Sequence, residues 1–430
     1  MPEKRSVALL MLSLTILLAS STVFGNSVNN DNNAAFLYIK AGSMLTEIPK
    51  SLENKVNDII NNGWKDNNEE LKEILTKNQG SIKEFKRATK LAYCDFKLGK
   101  SVEKTYTAPE HKFKEFHIAK LIIIQGRLFE KENKLDAAFD NYLSVLKYSD
   151  HLNQQKNLIC IMYGAGIQKL LYAPLAQYIS TDNSNIEHYR ILLDNLLTLK
   201  KNKIDFGSIL QENKEYTTEL IREYGDDVKK RVGSDEILFE NIYKELDRLN
   251  DEYYGYWVTA FEENRPEMYK DKIKQFKNEL KKQLKASNLA LTVDQIEDFI
   301  EIRPEDFGSV MSPSLVAKIF FLYGIPEYCH NITKYYVSNS KFNILTTAVA
   351  VKLYELENAK LPDSLQELMP MYFSRLPEDP FNDFKLLKYE KKGKGWVVYS
   401  FGPDKQDNHG TVQHNEKSKD KAGDIVFSSS

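Results

Sequence analysis

Cysteine and histidine, from which many metal and redox sites are built, are scarce: the chain of 430 residues has three cysteines and seven histidines. Cys94, Cys160 and Cys329 are far apart, and no CxxC or CxxCH motif occurs. This pattern gives no support to a zinc site or a covalently attached haem, and it allows one disulfide at most. We therefore interpret the three cysteines as mostly buried thiols.

An excess of charge of one sign is also missing. The chain has 59 basic and 61 acidic side chains, which gives a formal net charge of −2. Proteins that bind nucleic acid usually carry a basic excess, so this balance argues against a nucleic-acid partner. The basic stretch KDKIKQFKNELKKQLK, residues 270–285, is interpreted as the solvated face of a helix because acidic segments lie nearby.

Recognisable catalytic motifs are absent as well. The sequence contains no GxSxG, HExxH, P-loop or GxGxxG pattern. His111 and His117 are six positions apart and would not share one face of a helix. His151 follows Asp150 at the predicted end of a helix, where a cationic imidazole would favour the negative end of the helix dipole. We predict that the protein is not an enzyme.

Long apolar runs are rare, and the N-terminal one has the features of a secretory signal. Lys4 and Arg5 precede the run VALLMLSLTILLA, residues 7–19, and a short polar stretch then leads to Gly25. The run is shorter than the roughly 20 residues that an ordinary bilayer-spanning helix needs. We expect residues 1–25 to be a signal peptide and the protein to be periplasmic or extracellular, with membrane contact only through an uncleaved signal.

Segments with the pattern of amphipathic helices are abundant in the chain. Only 13 prolines occur in 430 residues, which leaves room for long helices. Within residues 117–152, two amphipathic segments flank the turn KENKLD, which predicts an antiparallel helical hairpin. Gly126, Phe129, Ala138 and Tyr142 stand at the spacings of a tetratricopeptide repeat, in which a small residue lets the helices approach each other. One copy is recognisable, so we predict TPR-like packing without a repeat array.

The predicted fold class is mainly α, an irregular helical bundle with a TPR-like hairpin, followed by a small α+β domain. We divide the chain into the signal peptide (1–25), a helical TPR-like region (34–200), a second helical region (201–338) and an α+β head (339–430). The sequence leaves open whether the helical part forms one domain or two.

The head has a defined order of predicted elements. From about Ser340 an amphipathic helix is followed by the short helix LPDSLQELMP and then by an extended loop, in which Pro377 and Pro380 exclude helix. The segments KLLKYEKK and WVVYSFG predict a β-hairpin around Gly393–Gly395, and residues 424–427 predict a third strand. The expected sheet is three-stranded and antiparallel.

These motifs resemble the globular part of the major pseudopilin of type II secretion systems. The resemblance covers residues 341–427 and consists of LYELENAKLPDSLQELMP, LPEDPFND, LKY, VVYSFGPD and GDI in that order. The helix is preceded by YVSNSK and lacks the long apolar run of a pilin subunit, so we do not expect the chain to polymerise as one. The whole layout also resembles uncharacterised exported proteins of planctomycete-type bacteria, which share a Cys-Asp pair such as Cys94-Asp95.

The pseudopilin resemblance implies a calcium site, because that family binds calcium in the matching loop. It implies Asp404 and Asp424 as side-chain ligands and the backbone carbonyls of Phe401 and Gly402 as further ligands. Asp407 is an additional candidate because of its position in the loop, and such oxygen ligands suit Ca²⁺. The alternative is a solvated turn whose aspartates cap backbone amides.

The sequence therefore predicts an exported, non-catalytic binding or scaffolding protein with a protein partner and a calcium-stabilised head. One alternative is a periplasmic hydrolase with a cleft between the helical region and the head. Another is an accessory component of a type II secretion or pilus-like machine. The sequence does not specify the partner or the oligomeric state.

Overall fold

The computed structural model describes residues 32–65, 67–96, 109–155, 158–180, 185–201, 204–211, 214–215, 222, 236–286, 312–324, 328–393, 395–411 and 423–429. The expected signal peptide and the side chain of Cys329 lie outside the described residues, whereas Cys94 and Cys160 are buried thiols. Among the helices in these ranges, none is both long enough and apolar enough to span a membrane.

The chain divides into two compact units. Unit 1 comprises Met1–Gln155 and Gly166–Leu199, and unit 2 comprises Lys156–Ala165 and Lys200–Ser430. The predicted head therefore belongs to the same compact unit as the helices that precede it from residue 236 onward.

The described residues of unit 1 form α-helices, a 3₁₀ turn (Lys50–Leu52) and connecting segments, with an isolated parallel bridge between Asn33 and Tyr93. Its helices are α1 (Ala34–Ser43), α2 (Glu53–Asn62), α3 (Glu69–Lys77), α4 (Gln79–Ala88), α5 (Pro109–Lys131), α6 (Leu135–Asn153), α7 (Leu158–Ser180) from Gly166 onward, and α8 (Ile186–Lys201) up to Leu199. Helix α5 packs against α1, α2 and α6. The helical hairpin predicted from residues 117–152 is confirmed as α5 and α6.

A fully buried arginine joins α5 to the end of α2. Nε and Nη2 of Arg127 donate hydrogen bonds to the carbonyl oxygen of Ile60 at 3.2 and 2.9 Å, and Nη1 donates to Glu130 at 2.8 Å. The last carbonyls of a helix have no partner within that helix, so Arg127 satisfies one of them. Its charge is balanced by Glu130, which makes burial of the guanidinium tolerable.

Unit 2 combines helices with the small sheet. Its elements are α9 (Glu236–Glu262), α10 (Pro266–Ala286), α11 (Pro313–Gly324), α12 (Tyr328–Asn358), a 3₁₀ turn (Leu365–Leu368), β1 (Glu378–Asp379), β2 (Lys385–Leu386), β3 (Lys388–Lys392), β4 (Gly395–Ser400) and β5 (Ile425–Ser428). Aromatic rings fill the core between α9, α10 and α11. Tyr253 lies 5.6 Å from Phe276 and 4.9 Å from Phe321, measured between ring centroids.

The three-stranded antiparallel sheet predicted for the head is confirmed, in the order β3-β4-β5. Val398 pairs with Tyr389 on one side and with Phe427 on the other. Helix α12 packs on β4 and β5 and covers the buried face. A second ladder, β1 with β2, was not predicted, because two-residue strands are too short to show alternation in a sequence.

Helix α12 begins at Tyr328, well before the expected start near Ser340. The first part of the helix contains asparagines and serines, which have low helix propensity. The sequence pattern therefore predicted a later start of the helix. Ile332 and Tyr336 are buried in the core of unit 2. Tertiary packing therefore outweighs local propensity in this stretch.

Candidate functional site

All of the predicted calcium-site residues lie at one end of the sheet. Residues 401–411 follow β4 directly, and Asp424 directly precedes β5. Because β4 and β5 are antiparallel neighbours, the end of one strand lies beside the beginning of the other. We call residues 401–411 together with Asp424 the acidic loop.

Asp424 closes the acidic loop from inside. Its side chain is buried, with Oδ1 accepting a hydrogen bond from the amide of Asn408 at 3.2 Å and Oδ2 accepting one from the amide of Gly410 at 2.7 Å. Its own amide donates to the carbonyl of Thr411 at 3.3 Å. Burial raises the pKa of Asp424, and the neighbouring charge of Asp407 adds to that effect.

Asp404 and Asp407 are half-buried and also bind backbone amides. Oδ1 of Asp404 accepts from the amide of Gln406 at 3.1 Å. Oδ1 of Asp407 accepts from the amide of His409 at 3.0 Å and from the hydroxyl of Tyr399 at 3.2 Å. These short-range contacts are typical of Asx turns, in which a carboxylate holds the backbone two residues further on.

Gly402 makes the close approach between the two ends of the acidic loop possible. Its φ is 69°, and a Cβ added there would lie 2.2 Å from the carbonyl oxygen of Gly423. The Gly402 carbonyl accepts a hydrogen bond from the amide of Lys405 at 3.0 Å. Phe401 precedes it with a half-buried ring that packs against the core of unit 2.

Asp379 belongs to the same site but was not among the predicted residues. It is completely buried, and its carboxylate accepts hydrogen bonds from Ser400 Oγ at 2.6 Å and from the amides of Phe381 and Phe401, both at 2.9 Å. Burial raises the pKa of Asp379, and nearby Asp424 contributes to the rise. Its signal in the sequence is its place in LPEDPFND, which we interpret as an extended loop and as one of the pseudopilin-like motifs without assigning a role to Asp379.

Asn264, which follows the end of α9, connects this site to the helices of unit 2. Its Nδ2 donates to the carbonyl of Pro380 at 3.0 Å, and its carbonyl accepts from Nζ of Lys405 at 3.3 Å. On the other side, Nδ2 of Asn343 on α12 donates to the carbonyl of Glu378 at 2.8 Å. These helices therefore hold the segment around Asp379 from both sides, and Lys405 and the amide of Phe401 connect the acidic loop to Asn264 and to Asp379.

The donor set of the acidic loop fits calcium in kind, since it offers carboxylate and carbonyl oxygens. The arrangement is different from a coordination shell, because Asp404, Asp407 and Asp424 each accept hydrogen bonds from backbone amides. In the described part of the chain, no group of three or more His, Cys, Asp or Glu is placed to hold a metal ion. In the structure, these hydrogen bonds close the acidic loop. To coordinate a calcium ion, the carboxylates of Asp404, Asp407 and Asp424 would have to rotate away from the backbone amides.

One arrangement in unit 1 has the order of groups of a catalytic triad. The Tyr178 hydroxyl lies 2.6 Å from Nδ1 of His188, and Nε2 of that ring lies 3.4 Å from Oδ1 of Asp136. Tyr178 is 1% exposed, however, whereas the Asp136 side chain is 95% exposed. In a triad the hydroxyl must reach the substrate, so this arrangement joins helices and has no accessible nucleophile.

No protein-family model, curated protein or solved structure matches the chain. The resemblance to the pseudopilin head therefore depends on the sequence motifs described above.

Proposed function

We propose that the protein is an exported, non-catalytic binding or scaffolding protein whose pseudopilin-like head presents the acidic loop to a protein partner. The observation that carries this proposal is that the acidic loop is attached at two points, by Lys405 to the carbonyl of Asn264 and by the amide of Phe401 to buried Asp379. A loop that is already fixed loses little conformational entropy when a partner binds, and this favours affinity. Binding residues commonly lie on loops that a rigid scaffold positions.

The pseudopilin-like part of the proposal is supported by the order of elements in the head. A long helix is followed by an extended Pro-rich turn and by a three-stranded sheet whose β4–β5 end carries the aspartates. The TPR-like part is supported by the close packing of α5 and α6 at Gly126. Stacked helical pairs of this kind form concave surfaces that bind proteins, and the helical region as a whole would present such a surface.

Calcium is included in the proposal as a stabiliser of the acidic loop. Asp404, Asp407 and Asp424 would supply carboxylate oxygens, and the carbonyls of Phe401 and Gly402 would supply two more. A divalent cation would offset the repulsion between the carboxylates of Asp407 and Asp424, which contributes to the raised pKa of Asp424. The ion would then hold the loop more firmly than the hydrogen bonds alone.

Thermal unfolding with EDTA and with about 1 mM free calcium tests this role. A dissociation constant of about 0.1 mM would stabilise unit 2 by about 1.4 kcal/mol, or a rise of about 3 to 5 °C. Asp404→Ala should abolish the rise, whereas Asp136→Ala, the control at an exposed carboxylate of unit 1, should leave it unchanged. A melting temperature that ignores calcium would remove the ion from the proposal.

Partner binding by the acidic loop is tested in cells with a photo-crosslinking amino acid at exposed Gln406. The control carries it at exposed Lys83 in unit 1. We expect defined crosslinked species from position 406 and none in common with position 83. Identical products at both positions, or none from position 406, would contradict the proposal that this loop meets the partner.

A further inference from the structure

Helix α10 carries its lysines mostly on one flank. Lys270, Lys274, Lys277, Lys281 and Lys285 follow each other at spacings of four, three, four and four residues. With 3.6 residues per turn, they lie within an arc of about 80° and over a length of about 22 Å. We call these five residues the lysine flank.

The lysine flank borders the buried face of the helix and points to solvent. The residues that α10 buries are Tyr269, Ile273, Phe276, Leu280 and Leu284. Of the flank, Lys270, Lys274, Lys281 and Lys285 are exposed, and within the described part of the chain the side chains of these four make no ion pair and no hydrogen bond.

Lys272 on the same helix, in contrast, pairs with an acidic side chain. Its Nζ lies 3.3 Å from Glu252 Oε1 and 4.7 Å from the centre of the Tyr256 ring. Lys272 lies outside the lysine flank and faces α9. Among the described residues, an acidic side chain thus pairs with a lysine on the other side of the helix, and none pairs with the four exposed lysines of the flank.

We propose that the lysine flank is a docking surface for an acidic segment of a partner protein, with carboxylates at matching helical spacing. The proposal rests on the binding function proposed above and names the chemistry of one partner surface. Residues four and three apart on a helix face the same way, so carboxylates at these spacings on a second helix would meet the lysines one by one. Complementary charges of this kind set partner choice and association rate.

A protein segment fits the flank better than a membrane or a nucleic acid. The arc of the flank contains no apolar residue that could insert into a bilayer. Glu267 and Asp271 lie at its edge, so a planar anionic surface would approach these carboxylates as well. The net charge of −2 gives no long-range attraction for a polyanion. A single narrow acidic segment along the flank avoids those carboxylates, and its pairing with the lysines is a short-range interaction that does not depend on the net charge of the chain.

The test uses a fluorescent helical peptide of about 20 residues with glutamates at the flank spacing. A second peptide has the same composition with the glutamates distributed around the helix. The flank variant carries Lys270→Gln, Lys274→Gln, Lys281→Gln and Lys285→Gln in the full chain. The control variant carries Lys50→Gln, Lys55→Gln, Lys83→Gln and Lys90→Gln, which changes the net charge equally at exposed sites of unit 1.

We expect the matched peptide to bind the wild-type chain about tenfold more tightly than the redistributed one at about 50 mM salt. The flank variant should lose that preference, and the control variant should keep it. Glutamine has a helix propensity close to that of lysine, so circular dichroism should show unchanged folding.

Equal affinity for both peptides, or an equal loss in the two variants, would overturn the proposal. Tighter, flank-dependent binding to vesicles of phosphatidylglycerol or to duplex DNA would overturn it in favour of those surfaces. The variants leave the acidic loop intact, so a calcium response or a crosslink at position 406 would persist if only the flank proposal fails.

Discussion

Gly126 on α5 lies directly against the ring of Tyr142 on α6, and no larger residue fits between the two helices. A Cβ added to Gly126 would lie 2.7 Å from Cε1 of Tyr142 and 3.0 Å from Cζ. Tyr142 is completely buried, so its ring cannot move aside without disturbing its neighbours. The small residue at position 126 therefore sets how closely the hairpin packs.

Gly126→Ala should destabilise unit 1 by about 2 kcal/mol, because overpacking outweighs the better helix propensity of alanine. Chemical denaturation followed by circular dichroism measures the loss. Gly255→Ala is the control, since Gly255 is an exposed residue of α9 with no atom within 4 Å of an added Cβ. That change should stabilise the chain by about 0.5 to 1 kcal/mol. A stabilising Gly126→Ala would show that α5 and α6 separate easily.

Lowering the pH should reduce the free energy of unfolding of unit 1 because His151 is buried. The ring is completely buried with Nδ1 2.9 Å from the Tyr38 hydroxyl, and burial together with the charge of Lys147 lowers the pKa from 6.5 to about 4. The unfolded chain takes up the proton near pH 6.5, whereas the folded chain takes it up only near pH 4. The free energy of unfolding should therefore fall by about 1.4 kcal/mol per pH unit on acidification between these values. His151→Gln should lack this contribution.

Glu115 should oppose that effect. Burial raises the pKa of its carboxyl from 4.5 to about 7, so the folded chain keeps a proton that the unfolded chain releases near pH 4.5. Stability from this group is present at low pH and is lost as the pH rises to about 7. Glu115→Gln should remove it and leave a chain that loses stability more steeply in acid than the wild type.

Urea denaturation between about pH 4.5 and 7 separates the two contributions. The wild type should be the flattest of the three, His151→Gln should gain stability on acidification, and Glu115→Gln should lose it. The slopes are compared rather than the absolute stabilities, because each substitution also removes packing and hydrogen bonds. Wild-type slopes in both variants would show that neither group has a shifted pKa in the folded chain.

For His151, the prediction from the sequence is wrong. A histidine at the end of a predicted helix was expected to be cationic, but its environment is set by Tyr38, which is 113 positions away in the chain. Local patterns predicted the α5–α6 hairpin and the β3–β4–β5 sheet, because periodicity and turn residues lie within each segment. Contacts between distant segments leave no such trace.

The acidic loop shows the same difference between local sequence signals and contacts of distant segments. The pseudopilin resemblance implied Asp404 and Asp424, and Asp407 was added because of its position in the loop. Asp379 was missed because its partners Ser400 and Phe401 are more than 20 positions further along the chain. The raised pKa of Asp379 depends on its complete burial, which only the packed fold provides.

Asp379→Asn should destabilise unit 2 by about 2 kcal/mol or more. Both oxygens of the Asp379 carboxylate accept hydrogen bonds in the wild type, whereas asparagine has one acceptor oxygen and an NH₂ group. The NH₂ group would face a donor that is bonded to the carboxylate in the wild type. One buried donor would therefore remain unsatisfied. Asp383→Asn is the control, since Asp383 is exposed with φ 49°, a conformation that asparagine tolerates. Its effect should stay within about 0.5 kcal/mol in the same denaturation experiment. Equal effects of the two changes would mean that the hydrogen bonds of Asp379 add little to stability.

Gly402→Ala should be the most damaging single change in the acidic loop. An alanine there meets two penalties: a left-handed φ of 69° and a Cβ only 2.2 Å from the carbonyl oxygen of Gly423. Gly393 in the β3–β4 turn has a similar φ of 61° but no atom within 4 Å of an added Cβ. Gly393→Ala should therefore cost about 1 kcal/mol, and Gly402→Ala should cost at least about 3 kcal/mol. The difference between the two melting temperatures measures the close approach alone, because the backbone penalty is common to both. Similar losses would mean that the Gly402–Gly423 contact relaxes at little cost, and that the two ends of the acidic loop are held by Asp424 rather than by their backbone packing.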